Sequence, residues 1–517
     1  MKFLFYYIFC GFLSAILILL ILIAIYCKRI NGYWKRKGVY AVNPTLFFGN
    51  AKDVILQKKP LGVDIKEFYD NLKKNGQSFG GYYFLMQPTF VVSDLNLIKR
   101  IMVTDFEHFT DRPLHIDEDD NRMTGYLPTL KGEKWRALRM KLSSAFTSLK
   151  CKMMFETLPE TYSDTLSQVI AGEMQSHNAV NIHYVLSKLN MDVIASCAFG
   201  FECNTLKNGN SELREYLLNF VHNQSLKGSI MHLLQFVFPD IFKIIKIKTR
   251  NDKMFDFFTK LVTDIVKYRE ENKVLRKDFV NILLNLRKDY KQSVNYCSGK
   301  SKEEVKEGLS IQELIAQCFV FLLGGFEAPT SITSFCIYEL SRKPKLQQKV
   351  REEILKVLKK YNGKVSYDAL AEMKFTDQCI YESFRMYPPV MIHARVCTKE
   401  YRVPNSTVVI NEGTTLFVPT YGLHMDPNHF PAPEVFDPDR FSEYSDGVSD
   451  AWIPFGSGPR TCIAYRFGLL QAKYGLVTLL KQYKFSVHPS TKTPITFDCK
   501  NFLLFPSSPI MVIAEKI

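Results

Sequence analysis

One short stretch near the C-terminal end constrains this chain more than any other: residues 454–464, with the sequence PFGSGPRTCIA. Gly456 and Gly458 let the backbone turn where a Cβ atom would clash. Residues 465–480 carry apolar side chains at helical spacing and few helix breakers, so they predict a helix. The loop therefore presents Cys462 near a helix N-terminus, where the helix dipole and unpaired N–H groups stabilise a negatively charged sulfur.

The residues around that cysteine suit a haem. A thiolate binds iron, and Arg460, two residues earlier, supplies a cation for an acidic propionate on the same side. A lone Cys after one Gly is more often a buried structural residue. The full set of Phe455, Gly456, Gly458, Arg460 and Cys462 is much rarer by chance, so we favour haem binding.

The loop resembles the cysteine-ligand loop of the cytochrome P450 family, which is a highly specific signature. The resemblance implies that Cys462 is the axial ligand of the iron. It also implies that Phe455, Gly456 and Arg460 contact the cofactor. One position departs from the family pattern: Gly is usual two residues after the cysteine, and this chain has Ala464, whose methyl group would press toward the macrocycle.

Further motifs of the family precede the loop in the family's order. Trp135 and Arg139 share one face of a helix predicted over 133–146, because they are four residues apart. Taken alone, this pair indicates only a half-buried Trp beside a solvated Arg. The resemblance implies that both bind a haem propionate and that Arg112 and Arg395 are two further propionate contacts.

Glu382 and Arg385 are three residues apart on a predicted helix, and by themselves they indicate only a surface ion pair. Residues 436–441, Phe-Asp-Pro-Asp-Arg-Phe, resemble the family's Pro-x-Arg-Phe segment. The resemblance implies that Arg440 locks the Glu-x-x-Arg pair into a buried network. That network has a structural role, because it supports the core beside the haem.

Residues 310–340 predict the longest helix of the chain. Ser310 and Glu313 have the spacing of a capping box, and the nearly all-apolar stretch 316–325 indicates burial on every side. The run Gly-Gly-Phe-Glu-Ala-Pro at 324–329 predicts a kink or a locally opened hydrogen-bond ladder.

In the family this helix faces the iron with the pattern small-Gly-x-acid-Thr. Gly324, Gly325 and Glu327 match, but Ala328 stands where the family has a threonine whose hydroxyl helps deliver protons to oxygen. The resemblance implies a catalytic role for Glu327 and places Ala328 against the cofactor. Thr330 would take part in catalysis only if the helix is distorted.

The N-terminal segment predicts a membrane anchor. Residues 3–27 carry no charge and are long enough to span a bilayer, longer than the apolar core of a signal peptide. Basic residues follow, so the positive-inside rule places the rest of the chain in the cytosol. We expect an anchor over 1–27, a basic linker or hinge over 28–50 and one cytosolic haem-thiolate domain over 51–517, at the endoplasmic reticulum membrane.

The net charge of +15 fits a nucleic acid, an anionic membrane or an acidic protein as a partner. Basic residues are spread along the chain without a nucleic-acid-binding motif, so we expect no nucleic acid. The twelve cysteines contain no CxxC pair, and only Cys462 has a context for chemistry. Residues 236–248, rich in Phe and Lys, fit lipid contact and ordinary helix packing equally, and residues 288–308 predict a surface loop.

The motifs together imply a mainly α-helical cytochrome P450 fold with a smaller β-rich part, including strands within 80–92 and within 408–421. The motif residues are most similar to those of microsomal insect and vertebrate members that oxidise foreign compounds, steroids and fatty acids. The resemblance implies haem b (iron protoporphyrin IX), an NADPH-dependent flavoprotein reductase as electron donor and cytochrome b5 as a helper. It implies insertion of one oxygen atom of O2 into a small apolar substrate.

Ala328 leaves two alternatives open. One is a haem-thiolate isomerase or dehydratase that rearranges an oxygenated substrate without a reductase, since such branches dispense with the threonine. The other is a catalytically impaired haem-binding protein. We favour the monooxygenase, because Glu327 is retained and substrate hydroxyls or ordered water can relay protons.

Overall fold

The structure, a computed structural model, describes seven ranges of the chain: residues 2–114, 125–209, 211–222, 252–296, 308–442, 449–501 and 503–517. The Phe-rich segment 236–248 lies outside them, as do residues 297–307 of the expected surface loop. The first part of that loop prediction was wrong, because residues 288–296 continue a helix that begins at Phe279.

Helices make up most of the described chain, which confirms the mainly α-helical class. In chain order they are α1 (Lys2–Asn31), α2 (Tyr33–Arg36), α3 (Lys52–Ile55), α4 (Leu61–Lys74), α5 (Leu95–Lys99), α6 (Gly132–Ser143), α7 (Ser148–Phe155), α8 (Tyr162–His177), α9 (Ile182–Ile194), α10 (Thr205–Asn208), α11 (Glu212–His222), α12 (Asp252–Glu271), α13 (Phe279–Tyr296), α14 (Ile311–Ser341), α15 (Pro344–Lys360), α16 (Tyr367–Glu372), α17 (Lys374–Met386), α18 (Thr420–His424) and α19 (Tyr465–Leu480). Short π-helical or 3-10 turns lie at Arg100–Thr104, Phe106–His108, Ser144–Phe146, Ala195–Phe199, Pro438–Phe441 and Gly458–Arg460.

The helix α14 forms the centre of the fold, and its start follows the predicted capping box. The backbone N–H of Glu313 donates to the Ser310 hydroxyl, and the N–H of Ser310 donates to the Glu313 carboxylate at 2.8 Å. The glycine- and proline-containing run does not end the helix, which continues through Pro329 to Ser341. Pro329 lacks only the N–H that would bond one preceding carbonyl. The helices α9, α17 and α19 pack around α14 and bury nearly all its side chains.

The smaller β part contains the strands β1 (Phe79–Phe84), β2 (Gln87–Val92), β3 (Val180–Asn181), β4 (His393–Val396), β5 (Tyr401–Arg402), β6 (Val409–Ile410), β7 (Thr415–Val418), β8 (Tyr483–Val487) and β9 (Met511–Lys516). The main sheet has the order β1-β2-β7-β4, in which β1 and β2 form the antiparallel pair expected within 80–92. The second pair of predicted strands exists, but its members belong to different sheets. β6 pairs with β5, whereas β7 is buried along its length and lies between β2 and β4.

The first helix, α1, is apolar, and its side chains are mostly exposed. Two described helices are long and apolar enough to cross a membrane; the other is α14, which is a buried core helix. The chain attaches to the domain just after α1. Trp34 is fully buried, its backbone N–H donates to the Tyr83 hydroxyl, and its indole N–H donates to the Tyr82 carbonyl. The apolar helix thus leads directly onto the β1–β2 pair.

Candidate functional site

The cysteine loop turns twice at the predicted glycines. Gly456 and Gly458 have φ angles of +75° and +69°, in the left-handed region that favours glycine. The backbone N–H of Cys462 donates to the Phe455 carbonyl at 2.9 Å and closes the loop. The helix α19 then begins at Tyr465, as the sequence predicted.

The Gly458 turn tolerates no side chain. A Cβ atom there would overlap the carbonyl oxygen of Met102, and the new residue would have to keep the left-handed φ. We expect Gly458→Ala to lower the free energy of unfolding by about 2–4 kcal/mol, from backbone strain plus overpacking. Urea unfolding measures this, with Gly363→Ala as control, since Gly363 has φ +78° and a Cβ atom there would meet nothing within 4 Å. Equal losses in the two variants would contradict the steric argument.

The Cys462 thiol lies inside the protein yet has exposed surface. Burial raises the pKa of its thiol, whereas the N–H of Ala464 and the guanidinium groups of Arg112 and Arg139 lower it. The residue is nevertheless exposed. A group that is surrounded by protein and still accessible has open space beside it. Its proton would be released when a metal binds, because the thiolate is the ligand.

Three buried or half-buried arginines lie together near the cysteine loop. Arg112 donates to the Arg460 carbonyl at 3.0 Å, and Arg460 donates to the carbonyls of Thr110 and Leu130, each at 2.8 Å. Arg395, on β4, is almost fully buried. The cationic groups of Arg112, Arg395 and Arg460 therefore come from three separate segments of the chain.

This arginine cluster has a surplus of positive charge. Burial lowers the pKa of all three guanidinium groups, that of Arg460 to about 9, and Arg112 lowers the pKa of both Arg395 and Arg460 further. Among the residues described, the carboxylate that pairs with the cluster is Asp111, 3.7 Å from Arg460. Within the described part of the chain, Arg395 Nε is buried and has no hydrogen-bond partner. Since arginine stays charged in proteins, such a cluster suits a dianionic group.

Trp135 and Arg139 lie on α6, beside the cluster. Trp135 is buried, and the guanidinium carbon of Arg460 lies 3.9 Å from the centre of its ring, a cation–π contact. Arg139 is close enough to Arg112 and Cys462 to influence the pKa of each. The structure thus brings these sequence-predicted residues together near the cysteine.

One face of α14 borders open space. Val320, Gly324 and Ala328 recur every four residues and are more exposed than the buried residues around them. A Cβ atom on Gly324 would meet nothing within 4 Å. The helix α14 packs against α19, which begins three residues after Cys462. Ala328, the departure from the family pattern, is on that face.

Glu327 and Thr330 lie on other faces of α14. Glu327 is fully buried, and its Oε1 lies 2.9 Å from Nε2 of His183 on α9. The Thr330 hydroxyl donates to the Phe326 carbonyl and accepts from the Asn190 side chain at 2.9 Å. Because the α-helix continues without interruption here, the hydroxyl of Thr330 is not on the Ala328 face. Sequence reasoning missed His183, which no local motif connects to α14.

The structure contains the expected buried network. Arg385 donates to both carboxylate oxygens of Glu382, at 2.6 and 2.8 Å, and neither side chain is exposed. The backbone N–H of Asp437 donates to Glu382 at 2.9 Å, and Nε of Arg440 lies 3.5 Å from the same carboxylate. The carbonyls of His424 and Pro433 accept from Arg385. The pair is therefore internal, unlike an ordinary surface ion pair.

These groups fit a haem. An accessible thiol would provide a ligand for iron, the arginine cluster would provide cations for two propionates, and α14, which packs against α19, presents a small apolar face. The orphaned Nε of buried Arg395 is the observation that most needs an anionic partner.

The chain is similar to known proteins along most of its length. The family model described as Cytochrome P450 matches residues 42–514. The chain is 36% identical over 496 residues to a probable cytochrome P450 6a14 of Drosophila melanogaster, covering 95% of this chain and 96% of that protein. It is 34% identical over 502 residues to cytochrome P450 6A1 of Musca domestica, covering 96% of each.

Proposed function

Because the chain belongs to the cytochrome P450 family, we propose that Cys462 supplies the axial thiolate of its haem. Family membership makes the protein a haem-thiolate monooxygenase, an oxidoreductase. The observation that supports Cys462 most directly is its position: an accessible thiol in the interior, beside a surplus of buried arginines. The cofactor proposed is haem b, with Arg112, Arg395 and Arg460 holding its propionates and Trp135 and Arg139 beside them. When bound, the haem supplies the oxygen-activating chemistry.

We propose a small apolar molecule as substrate, of foreign-compound, steroid or fatty-acid type. The face formed by Val320, Gly324 and Ala328 offers no side-chain hydrogen-bonding group, so it favours apolar contact. One oxygen atom of O2 would enter the substrate, and the other would leave as water. Phe455 and Gly456 would support the cofactor from the cysteine side.

Glu327 is proposed as the acid that supplies protons beside this face. Its carboxylate is buried and contacts the side chain of His183, which is partly exposed. His183 therefore connects the buried acid to the outside of the protein. The neighbouring Ala328 provides no hydroxyl, so substrate hydroxyls or ordered water would complete the relay. Thr330 is committed to Phe326 and Asn190 and is not carried into the proposal.

A hydroxyl at position 328 should improve coupling. We expect Ala328→Thr to lower the hydrogen peroxide formed per NADPH several-fold, because a positioned donor directs protons to the productive route. The measurement uses holoenzyme with a flavoprotein reductase and a turned-over substrate. Ala328→Val is the matched control, since valine has the shape of threonine without its hydroxyl. Equal effects of Thr and Val, or unchanged coupling, would contradict this role.

The proposed electron donor is an NADPH-dependent flavoprotein reductase, with cytochrome b5 as a helper. Lys134 on α6 and Arg466 on α19 are exposed on the two helices beside the cysteine loop. Cations there suit an acidic partner, because complementary charge steers association. The buried, paired Glu327 supports a monooxygenase over the isomerase or dehydratase alternative. Turnover of hydroperoxides together with no NADPH-dependent oxidation would favour that alternative instead.

We propose that the apolar helix α1 anchors the protein in the endoplasmic reticulum membrane, with the catalytic domain in the cytosol. The support is the exposed apolar surface of α1 and the basic residues that follow it. The proposed anchor covers residues 1–27, the basic linker 28–50 and the catalytic domain 51–517. Because Trp34 is buried against β1 and β2, the N-terminal part of the linker is already attached to the domain.

A further inference from the structure

The peptide of Ile453 is held from both sides by two histidines from distant parts of the chain. Its N–H donates to Nε2 of His424 at 3.0 Å. Its carbonyl accepts from Nε2 of His393 at 2.9 Å. Ile453 comes just before Pro454, the first residue of the cysteine loop. The two contacts therefore act where the chain enters that loop.

The hydrogen bonds determine which nitrogen of each imidazole carries the proton. A backbone N–H can only donate, so Nε2 of His424 is an acceptor and its Nδ1–H donates to the Arg385 carbonyl at 3.0 Å. A carbonyl can only accept, so Nε2 of His393 carries a proton. Burial lowers the pKa of both histidines to about 3, which keeps them neutral, and the hydrogen bonds select the tautomer of each.

His393 touches the loop at a second point. A Cβ atom on Gly456 would lie 3.5 Å from the His393 ring, so the ring packs directly against that turn. His424 exchanges hydrogen bonds with Arg385 in both directions, since its own carbonyl accepts from the guanidinium at 2.8 Å. The Ile453 peptide is thus tied to β4 on one side and to the Glu382–Arg385 network on the other.

We propose that His393 is a positioning residue for the Cys462 thiolate, acting through the Ile453 peptide and the Gly456 turn. The inference rests on the proposed ligand role of Cys462. The Ile453 carbonyl accepts from the Gly456 N–H at 3.0 Å as well as from His393, so the His393 ring contacts both ends of this turn and would limit its movement. Groups that orient a ligand in this way typically change metal affinity or activity by roughly 10–100-fold when removed.

The test compares full-length holoprotein variants. His393→Leu keeps an apolar side chain of similar size without the donor, and His393→Gln places an amide N–H near the position of Nε2. Val512→Ala is the control for general destabilisation, since Val512 is fully buried in the separate β3-β9-β8 sheet. The first readout is the rate at which the reduced, carbon monoxide-bound protein loses the absorption band of a thiolate-bound haem. The second is amide hydrogen exchange at Ile453 and Gly456 in the same holoprotein.

We expect His393→Leu to lose the thiolate band roughly tenfold faster than wild type, with faster exchange at Ile453. His393→Gln should restore most of the wild-type behaviour. Val512→Ala should lose the thiolate band at the wild-type rate when each protein is measured equally far below its own unfolding midpoint. Equal decay in His393→Leu and Val512→Ala, or no rescue by Gln, would overturn the positioning role. Failure of the ligand assignment is separate, because it would appear as a band that survives Cys462→Ser.

Discussion

Cys462→Ser is expected to abolish the carbon monoxide absorption band of a thiolate-bound haem and to reduce NADPH-dependent oxidation to background. A serine hydroxyl remains protonated near neutral pH and is a poor ligand for iron, whereas a cysteine thiolate is a strong one. The arginine cluster and the apolar face of α14 are unchanged in this variant, so some haem should remain bound. The measurement is a difference spectrum of the reduced protein with and without carbon monoxide.

A second cysteine variant separates ligand loss from a general effect of the substitution. Cys499 is free and partly exposed, and it lies outside the cysteine loop. We expect Cys499→Ser to retain the full thiolate band and normal turnover. An unchanged band in Cys462→Ser would remove the basis of the proposed function.

The second large effect should come from the buried Glu382–Arg385 pair. Glu382→Gln removes the negative charge but keeps the side-chain shape, so the Arg385 guanidinium becomes a buried charge without its counter-ion. Breaking a buried pair in this way typically costs about 3–5 kcal/mol of the free energy of unfolding. That is a large share of the stability of a typical domain, so we also expect low haem content and poor expression.

The matched control has the same spacing on the surface. Glu133 and Arg136 are also three residues apart on a helix and form an ion pair at 3.5 Å, but the Glu133 side chain is 89% exposed. Glu133→Gln should cost less than about 1 kcal/mol, as exposed pairs do. Urea unfolding midpoints and haem content of the two variants give the comparison. Similar losses in both would contradict the buried network as a structural support.

Much of the local backbone geometry around the candidate site could be predicted, because it depends on residues that are close together in the chain. The two loop glycines, the start of α19 and the capping box of α14 each depend on residues within one or two turns of the chain. Burial of the Glu382–Arg385 pair could not be predicted from neighbouring residues alone, since the same spacing also occurs on the surface at Glu133. Burial of this pair was expected only because the segment that contains Arg440 resembles the family's Pro-x-Arg-Phe segment.

Packing decided the points that the sequence left open. The run from Gly324 to Pro329 predicted a kink or a locally opened hydrogen-bond ladder, and α14 continues through it as one helix packed against α9, α17 and α19. The strands β6 and β7 flank a tight turn but pair with different neighbours. A turn brings two strands near each other, whereas the pairing depends on which sheet can bury them.

Residues close together in the chain were enough to predict a haem site and to propose Cys462 as its ligand, because a cysteine between turn glycines and a helix is a local arrangement. What surrounds that cysteine depended on how distant segments pack. Packing placed Ala328 on the open face of α14 and tied the hydroxyl of Thr330 to Asn190. It also brought His393 and His424 to the two sides of Ile453. Such contacts join residues far apart in the chain, and their geometry is set only when the helices and strands come together.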